Sequence, residues 1–237
     1  FNQIGSNWWL RDVGGNKIEW WPGNPLLNVY VAQDNWSATL SQFIKDDLMI
    51  GGYWDGVFLD NVWSEVSFLQ SKFSVDIDND GLADDSLKLN QKWQAGMIKL
   101  LQNVRAKIGS DKLLVTNGGE FYHDYVNGVL YEHFHDKGWS DTMKKYSFIV
   151  DNGQYPAIGI LNMNVDNTGN KNDFQKMRFG LASAMLDNGY YSFDNGDQTH
   201  HEIWWYDEYG AYLGEPVDIA KEVSGKTDFR DGVWRRD

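Results

Sequence analysis

The chain has 237 residues, with 34 Asp and Glu against 21 Lys and Arg, a formal charge of −13. That balance argues against nucleic acid and anionic membrane as partners, because both attract basic surfaces. Cysteine is absent, which excludes disulfides, thiolate metal sites and a thiol nucleophile; no apolar run approaches the roughly 20 residues of a membrane-spanning helix, and nothing resembles a signal peptide.

Twelve Trp, 12 Tyr and 12 Phe exceed what a core of this size needs. Flat aromatic faces accompanied by Asn, Asp and Gln suit sugar rings. Residues 1–24 are rich in Gly, Asn and Trp and read as irregular chain with a short hairpin, in which Trp8 and Trp9 are candidate sugar platforms on one wall of a cleft. Residues 26–31 form the first predicted strand. A helix starts at 34–37 and runs to about Met49, with Trp36, Leu40, Phe43, Ile44 and Leu48 at helical spacing. Asn35-Trp36-Ser37 fits a glycosylation acceptor, which inside a helix carries no meaning.

The short apolar run Gly56–Leu59 reads as a strand buried on both faces, and it stops abruptly at Asp60 and Asn61. In barrels of alternating strands and helices, residues at the carboxyl ends of strands face the ligand mouth. Asp60 is therefore a candidate for catalysis, with Asn61, Trp54 and Trp63 as substrate contacts. The alternative is an ordinary capping or turn aspartate. Asp55, at the other end of the strand, reads as a capping or salt-bridging group.

Residues 75–85 place carboxylates at alternate positions before a Gly, the arrangement of a calcium loop. Asp76, Asp78 and Asp80 would supply side-chain oxygens, Leu82 a carbonyl, and Asp84 or Asp85 the closing carboxylate of a structural Ca²⁺ site. The glutamate expected at the twelfth position is missing, and Leu87 stands there. A solvated acidic loop is the alternative reading.

Residues 86–108 form a long amphipathic helix through Leu89, Trp93, Met97, Leu100, Leu101 and Val104. Strands follow at 113–116, 128–131, 157–161 and 190–193, separated by helices at 140–148 and 172–186. Six predicted strands alternating with helices give an α/β chain, a single (β/α)₈ barrel domain over 1–237 that lacks its N-terminal strands or hides one within 7–19. The segment after Trp204 reads as a helix start and then loop. Both termini look truncated, and the exposed edges of such a sheet call for a second copy or an N-terminal segment to complete the barrel.

Every strand from Gly56 onward ends in polar residues: Asp60 and Asn61, Asn117, Glu132 and His133, Asn162 and Asn164, Asp194 and Asp197. Two carboxylates flanking a bond are the equipment of glycoside hydrolysis. Asp60 is assigned as nucleophile, Glu132 as general acid/base and Asp194 as auxiliary carboxylate, with Asn117, His133 and Asn162 contacting substrate. His133, His135, His200 and His201 read as substrate-binding or structural rather than metal-ligating. There is no phosphate loop, zinc helix or serine elbow.

The segments Asn7-Trp8-Trp9-Leu10-Arg11-Asp12, Trp21-Pro22-Gly23, Asp55-Gly56-Val57-Phe58-Leu59-Asp60-Asn61-Val62-Trp63, Trp204-Trp205-Tyr206-Asp207-Glu208-Tyr209 and Gly232-Val233-Trp234-Arg235-Arg236-Asp237 resemble the glycoside-hydrolase-like proteins of bacteria and archaea. That group is related at its Asp-Gly-Val-Phe-Leu-Asp-Asn strand to the endo-α-1,4-polygalactosaminidases. The resemblance implies a (β/α)₈ barrel, secreted or at the cell surface, that acts on a polysaccharide with Asp60 and Glu132 as its catalytic pair. The competing expectation is a non-catalytic extracellular protein, carbohydrate-binding or structural, that reuses the barrel.

Overall fold

The computed structural model describes residues 4–30, 35–223 and 232–237. The chain forms two compact units, Phe1–Val126 and Asn127–Asp237. Both are α/β.

In the first unit, β1 (Arg11–Asp12) pairs antiparallel with a short strand further along the chain, and β2 (Glu19–Trp21) turns through Pro22 and Gly23 into β3 (Asn24–Pro25). Gly23 has φ of +80°, a conformation glycine adopts without a Cβ penalty, and its N–H is taken by Glu19 Oε2 at 2.9 Å. Helix α1 (Asn35–Phe43) runs into a π-helical turn, Ile44–Leu48. Then come β4 (Gly56–Leu59), β5 (Val75–Asp76, the partner of β1), α2 (Ser86–Ile108) and β6 (Leu113–Asn117). Strands β4 and β6 are parallel, registered Gly56 on Leu113 through Leu59 on Thr116, with α2 as part of the crossover.

The boundaries of α2 follow from chemistry. Asp85 caps its start by accepting the Lys88 N–H at 3.0 Å, and Gly109, at φ 87°, ends it. Between these, Leu89, Trp93, Met97, Leu100, Leu101, Val104 and Ile108 are buried, each large apolar side chain contributing about 1.5–3 kcal/mol. Gly96 lets the chain at Val29 approach: a Cβ there would meet the Val29 carbonyl at 1.8 Å.

The strand expected at 26–31 is not a regular strand over 26–30, and Val31 lies outside the described residues. This segment is held by an isolated antiparallel bridge between Trp9 and Leu27, with Leu10 N–H on Leu26 O and Asn28 N–H on Trp8 O. Asn28 explains the departure. Its buried amide donates to Ile77 O at 2.7 Å and accepts the Tyr30 N–H at 2.9 Å, while its own carbonyl takes the Trp36 indole. The bond to the Tyr30 N–H, two residues on, is a local side-chain bond of the kind that competes with a ladder. Asp34, at the expected start of the helix, also lies outside the described residues.

The second unit is a βαβαβ run: β7 (Gly128–Tyr131), α3 (Trp139–Asn152), β8 (Ile158–Asn164), α4 (Phe174–Ala184) and β9 (Tyr190–Asp194). Its three strands are parallel in the order β7, β8, β9. The helices cover them with Met143, Tyr146, Ile149 and Met177, and the buried Tyr146 hydroxyl donates to Ala184 O at 2.8 Å. The expected helix after Trp204 is a 3₁₀ turn, Asp207–Gly210; β10 (Lys221–Glu222) and β11 (Trp234–Arg235) form an antiparallel pair. No described helix is long and apolar enough to cross a membrane.

Candidate active site

Within each unit the parallel strands deliver their C-terminal residues to one end. In the first unit this joins β4 to β6. Asp60 is exposed just after β4, and its Oδ1 accepts the Asn61 N–H at 2.8 Å and the Asn117 amide at 3.0 Å. Asn61 adopts φ of 58°, a left-handed conformation that Asn tolerates, and this turns the chain off the strand. Asp60, Asn61 and Trp63 line a recess of about 330 Å³ whose other walls include Leu27, Trp36 and Met97. Trp63 is fixed against Trp21 (6.0 Å) and edge-on to Phe68 (5.1 Å), and its carbonyl accepts the Trp93 indole at 2.8 Å.

Three of the expected sugar platforms do not join this group. Trp54 precedes β4, at the opposite end of the strand from Asp60, and its carbonyl holds Lys112 at 3.0 Å. Five residues separate the two, about 20 Å of extended chain. Trp9 has one face occupied by the Lys17 ammonium at 4.2 Å, and neither it nor Trp8 lines the recess beside Asp60.

The acidic loop is arranged around an internal cation. Lys92, two turns into α2, places its ammonium 2.5 Å from Asp78 Oδ2 and 2.6 Å from Asp84 Oδ1. Burial pulls Lys92 toward its neutral form, but the hydrogen bonds and charges of Asp78 and Asp84 outweigh this and raise its pKa; the same ammonium lowers that of Asp78. Asp76 is buried and accepts the N–H groups of Asp80 and Gly81, and Asp84 Oδ2 accepts that of Ile77. Ligand atoms of Asp76, Asp78 and Asp84 lie within 4.8 Å of one another. Of the other carboxylates expected there, Asp80 turns to the Leu82 N–H, and Asp85, the alternative to Asp84 as closing carboxylate, caps α2.

The second unit holds the denser constellation. Glu132 and His133 follow β7, Asn162 and Asn164 end β8, and Asp194 ends β9. Beyond Asp194 the chain reverses at Gly196, at φ 129°, where Thr199 N–H bonds Gly196 O at 2.9 Å, and His200 is carried back over the strand ends. Its Nδ1 lies 3.1 Å from Asp194 Oδ2, and its Nε2 lies 3.2 Å from Glu132 Oε1 and 3.5 Å from Asp197 Oδ1. One imidazole thus bridges two carboxylates from different strands. Burial lowers the His200 pKa, but the hydrogen bond to Asp194 and the charges of Asp194, Glu132 and Asp197 overcome it, so the net shift is upward.

Asp194 is buried. Its Oδ2 also accepts the Asn162 amide at 2.9 Å, and its Oδ1 has no hydrogen-bond partner among the described residues. Leaving a buried acceptor without a donor costs about 1–3 kcal/mol, which makes Asp194 a candidate to meet a bound group.

His133 connects to the same cluster, with Nε2 2.6 Å from Asp197 Oδ1 and Nδ1 3.2 Å from Asn164 Nδ2. The Asn164 carbonyl oxygen accepts the Asp166 N–H at 3.0 Å, so its NH₂ must face the ring. His133 therefore accepts at Nδ1 and donates from Nε2. Glu132, His133 and Asp197 could by distance hold an ion, but a protonated Nε2 has no lone pair for one.

The bridging role of His200 has no spacing signal in the sequence. It depends on the turn at Gly196 and on residues far apart in the chain. The side chain of His135 is outside the described set.

Comparison with curated proteins gives no match. A family model described as hypothetical glycosyl hydrolase family 15 matches residues 2–237. With strand ends rich in carboxylates and a match over nearly its whole length, the chain belongs to that family.

Proposed function

We propose that the protein is a polysaccharide-acting glycoside hydrolase on a (β/α)₈ barrel, working outside the cell or at its surface. Glu132 is the general acid/base, Asp60 the nucleophile and Asp194 the auxiliary carboxylate. The observation that carries this reading is the His200 bridge. It gathers Glu132 and Asp194, carboxylates from two strands, on one imidazole, so that the general acid/base and its auxiliary carboxylate act at one place. Such a bridge fixes the direction of the Glu132 carboxyl and keeps a proton donor beside it. Asn162 orients Asp194 from the other side, and in the first unit Asn117 orients Asp60 in the same manner.

The test is release of reducing sugar from a panel of polysaccharides. Glu132→Gln and Asp60→Asn are each expected to lower turnover by about 10²–10⁴-fold, the usual worth of a positioned acid or base, with circular dichroism unchanged. Wild-type turnover by Glu132→Gln removes the assignment.

A second reading, a non-catalytic surface or filament protein, is favoured by one observation. Tyr212, Leu213, Val217 and Ile219 are each more than 70% exposed within a single extended segment, as expected of chain covered by a partner. The same panel separates the two: binding without product from any member supports this alternative.

A further inference from the structure

The carboxylate cluster does not use the aromatic run that follows it. Ile203 bridges Asp194 in antiparallel fashion, so the chain leaves the cluster along a fixed path. Trp204 lies edge-on to Phe193, the residue before Asp194, at 6.1 Å. Trp205 then turns outward and is 78% exposed. It is nonetheless anchored: Tyr209 meets it at 5.7 Å and 86°, Tyr206 meets Tyr209 at 5.5 Å, and the Tyr206 hydroxyl donates to Lys171 O at 2.6 Å. Nearby, the Arg178 guanidinium lies 5.2 Å from the Phe174 ring centroid and donates from Nε and Nη2 to Glu208 Oε1 at 2.6 and 2.5 Å. Phe174, Arg178, Trp204, Trp205, Tyr206 and Glu208 line an open cavity of about 690 Å³.

A single exposed indole is ordinary on a protein surface. Here it is combined with three further features. An aromatic scaffold holds the ring, so little ordering entropy is lost when a ligand stacks on it. A charge pair stands at the rim with donors and acceptors suited to hydroxyls. The path from the cluster to the ring is short and continuous.

This mixture of one flat apolar face and a polar rim fits the C–H face and equatorial hydroxyls of a sugar ring. The chain's excess of acidic groups disfavours a polyanionic glycan. We infer that Trp205, with the Arg178–Glu208 pair, forms a sugar-binding subsite that holds a neutral polysaccharide a few residues of chain away from the carboxylates. The inference rests on the carbohydrate reading above, but not on turnover.

The experiment is native affinity electrophoresis of the full chain in gels containing xylan, mixed-linkage β-glucan, galactomannan or dextran. It is run on the Glu132→Gln background so that binding is read without hydrolysis. At least one polysaccharide is expected to retard the parent, and Trp205→Ala is expected to weaken that retardation about tenfold, the equivalent of 1.4 kcal/mol. Trp205→Phe, which keeps a flat ring, should retain most of it, and Arg178→Gln should weaken it to an intermediate degree.

Circular dichroism confirms that each variant is folded, which the exposure of Trp205 favours. Equal retardation of parent and Trp205→Ala overturns the inference, as does retardation by none of the four. A shift in sedimentation coefficient on Trp205→Ala without change in retardation also overturns it, by assigning the ring to a contact between copies. Failure of the hydrolase reading has a different signature: retardation that depends on Trp205 while the wild type releases no sugar.

Discussion

Replacing Lys92 by Met keeps the aliphatic stem and removes the ammonium from the acidic loop. In the native protein that ammonium is 2.5 Å from Asp78, 2.6 Å from Asp84 and 5.6 Å from the Tyr30 ring centroid. The side chains are partly sheltered, with Lys92 21%, Asp78 29% and Asp84 6% exposed. Breaking a fully buried pair costs about 3–5 kcal/mol and an exposed one about 0–1 kcal/mol. Partial shelter and two partners place this case between, at about 2–4 kcal/mol, or a Tm lower by about 5–12 °C for a chain of this length.

The pH dependence has a definite sign. The Asp78 pKa is lowered in the folded state, so its stabilising share is present above the ordinary carboxylate value of about 3.9 and is lost as pH falls. The Lys92 pKa is raised, so its share is present below about 10.4 and lost as pH climbs through the folded value. The gap between wild type and Lys92→Met should therefore be flat from about pH 5 to 10 and close below about pH 4. Thermal and urea unfolding across that range provide the measurement. Millimolar Ca²⁺ should restore stability to Lys92→Met, whose carboxylates have lost their cation, and add little to the wild type. A loss under about 1 kcal/mol, the value for exposed pairs, would refute the reasoning.

Three other outcomes are expected. His200→Gln should flatten the alkaline limb of the activity profile: in the wild type, activity falls as pH rises through the raised His200 pKa, because the neutral ring loses one of the two N–H groups that hold Asp194 and Glu132. Superimposable limbs in the two proteins would count against this. Gly96→Ala should destabilise by about 2–4 kcal/mol in urea, since a Cβ would lie 1.8 Å from the Val29 carbonyl and the backbone would have to move. Asp85→Ala should cost about 1 kcal/mol through loss of the α2 cap, with exchange of amide protons accelerated in its first turn.

Local signals were readable and distant ones were not. Helix α2 runs where the apolar spacing from Leu89 to Val104 says it should, and β7 begins and ends as the apolar run Gly128–Tyr131 suggests. In each case the information lies within a few residues. Residues 26–30 look equally apolar, yet Asn28 diverts the backbone by reaching Ile77, 49 residues away. The acidic loop shows its carboxylates in sequence order, but the ammonium that neutralises them comes from a helix face eight residues past Asp84 and carries no motif. Asp60, Glu132 and Asp194 follow from strand ends alone. His200 does not, because its place is set by a turn whose geometry depends on Gly196 packing against Asn167.

The amide of Asn164 gives the polar chain His133 to Asp197 a direction, since its oxygen is committed to the Asp166 N–H and its nitrogen to the imidazole. Exchanging that nitrogen for oxygen, as deamidation does, would present a lone pair where a hydrogen now stands. The ring would then stand between two carboxylates, as His200 does between Asp194 and Glu132, and a second N–H, on Nδ1, is what would satisfy both. A change of one mass unit would thus turn a one-way relay into a second carboxylate–imidazole–carboxylate bridge.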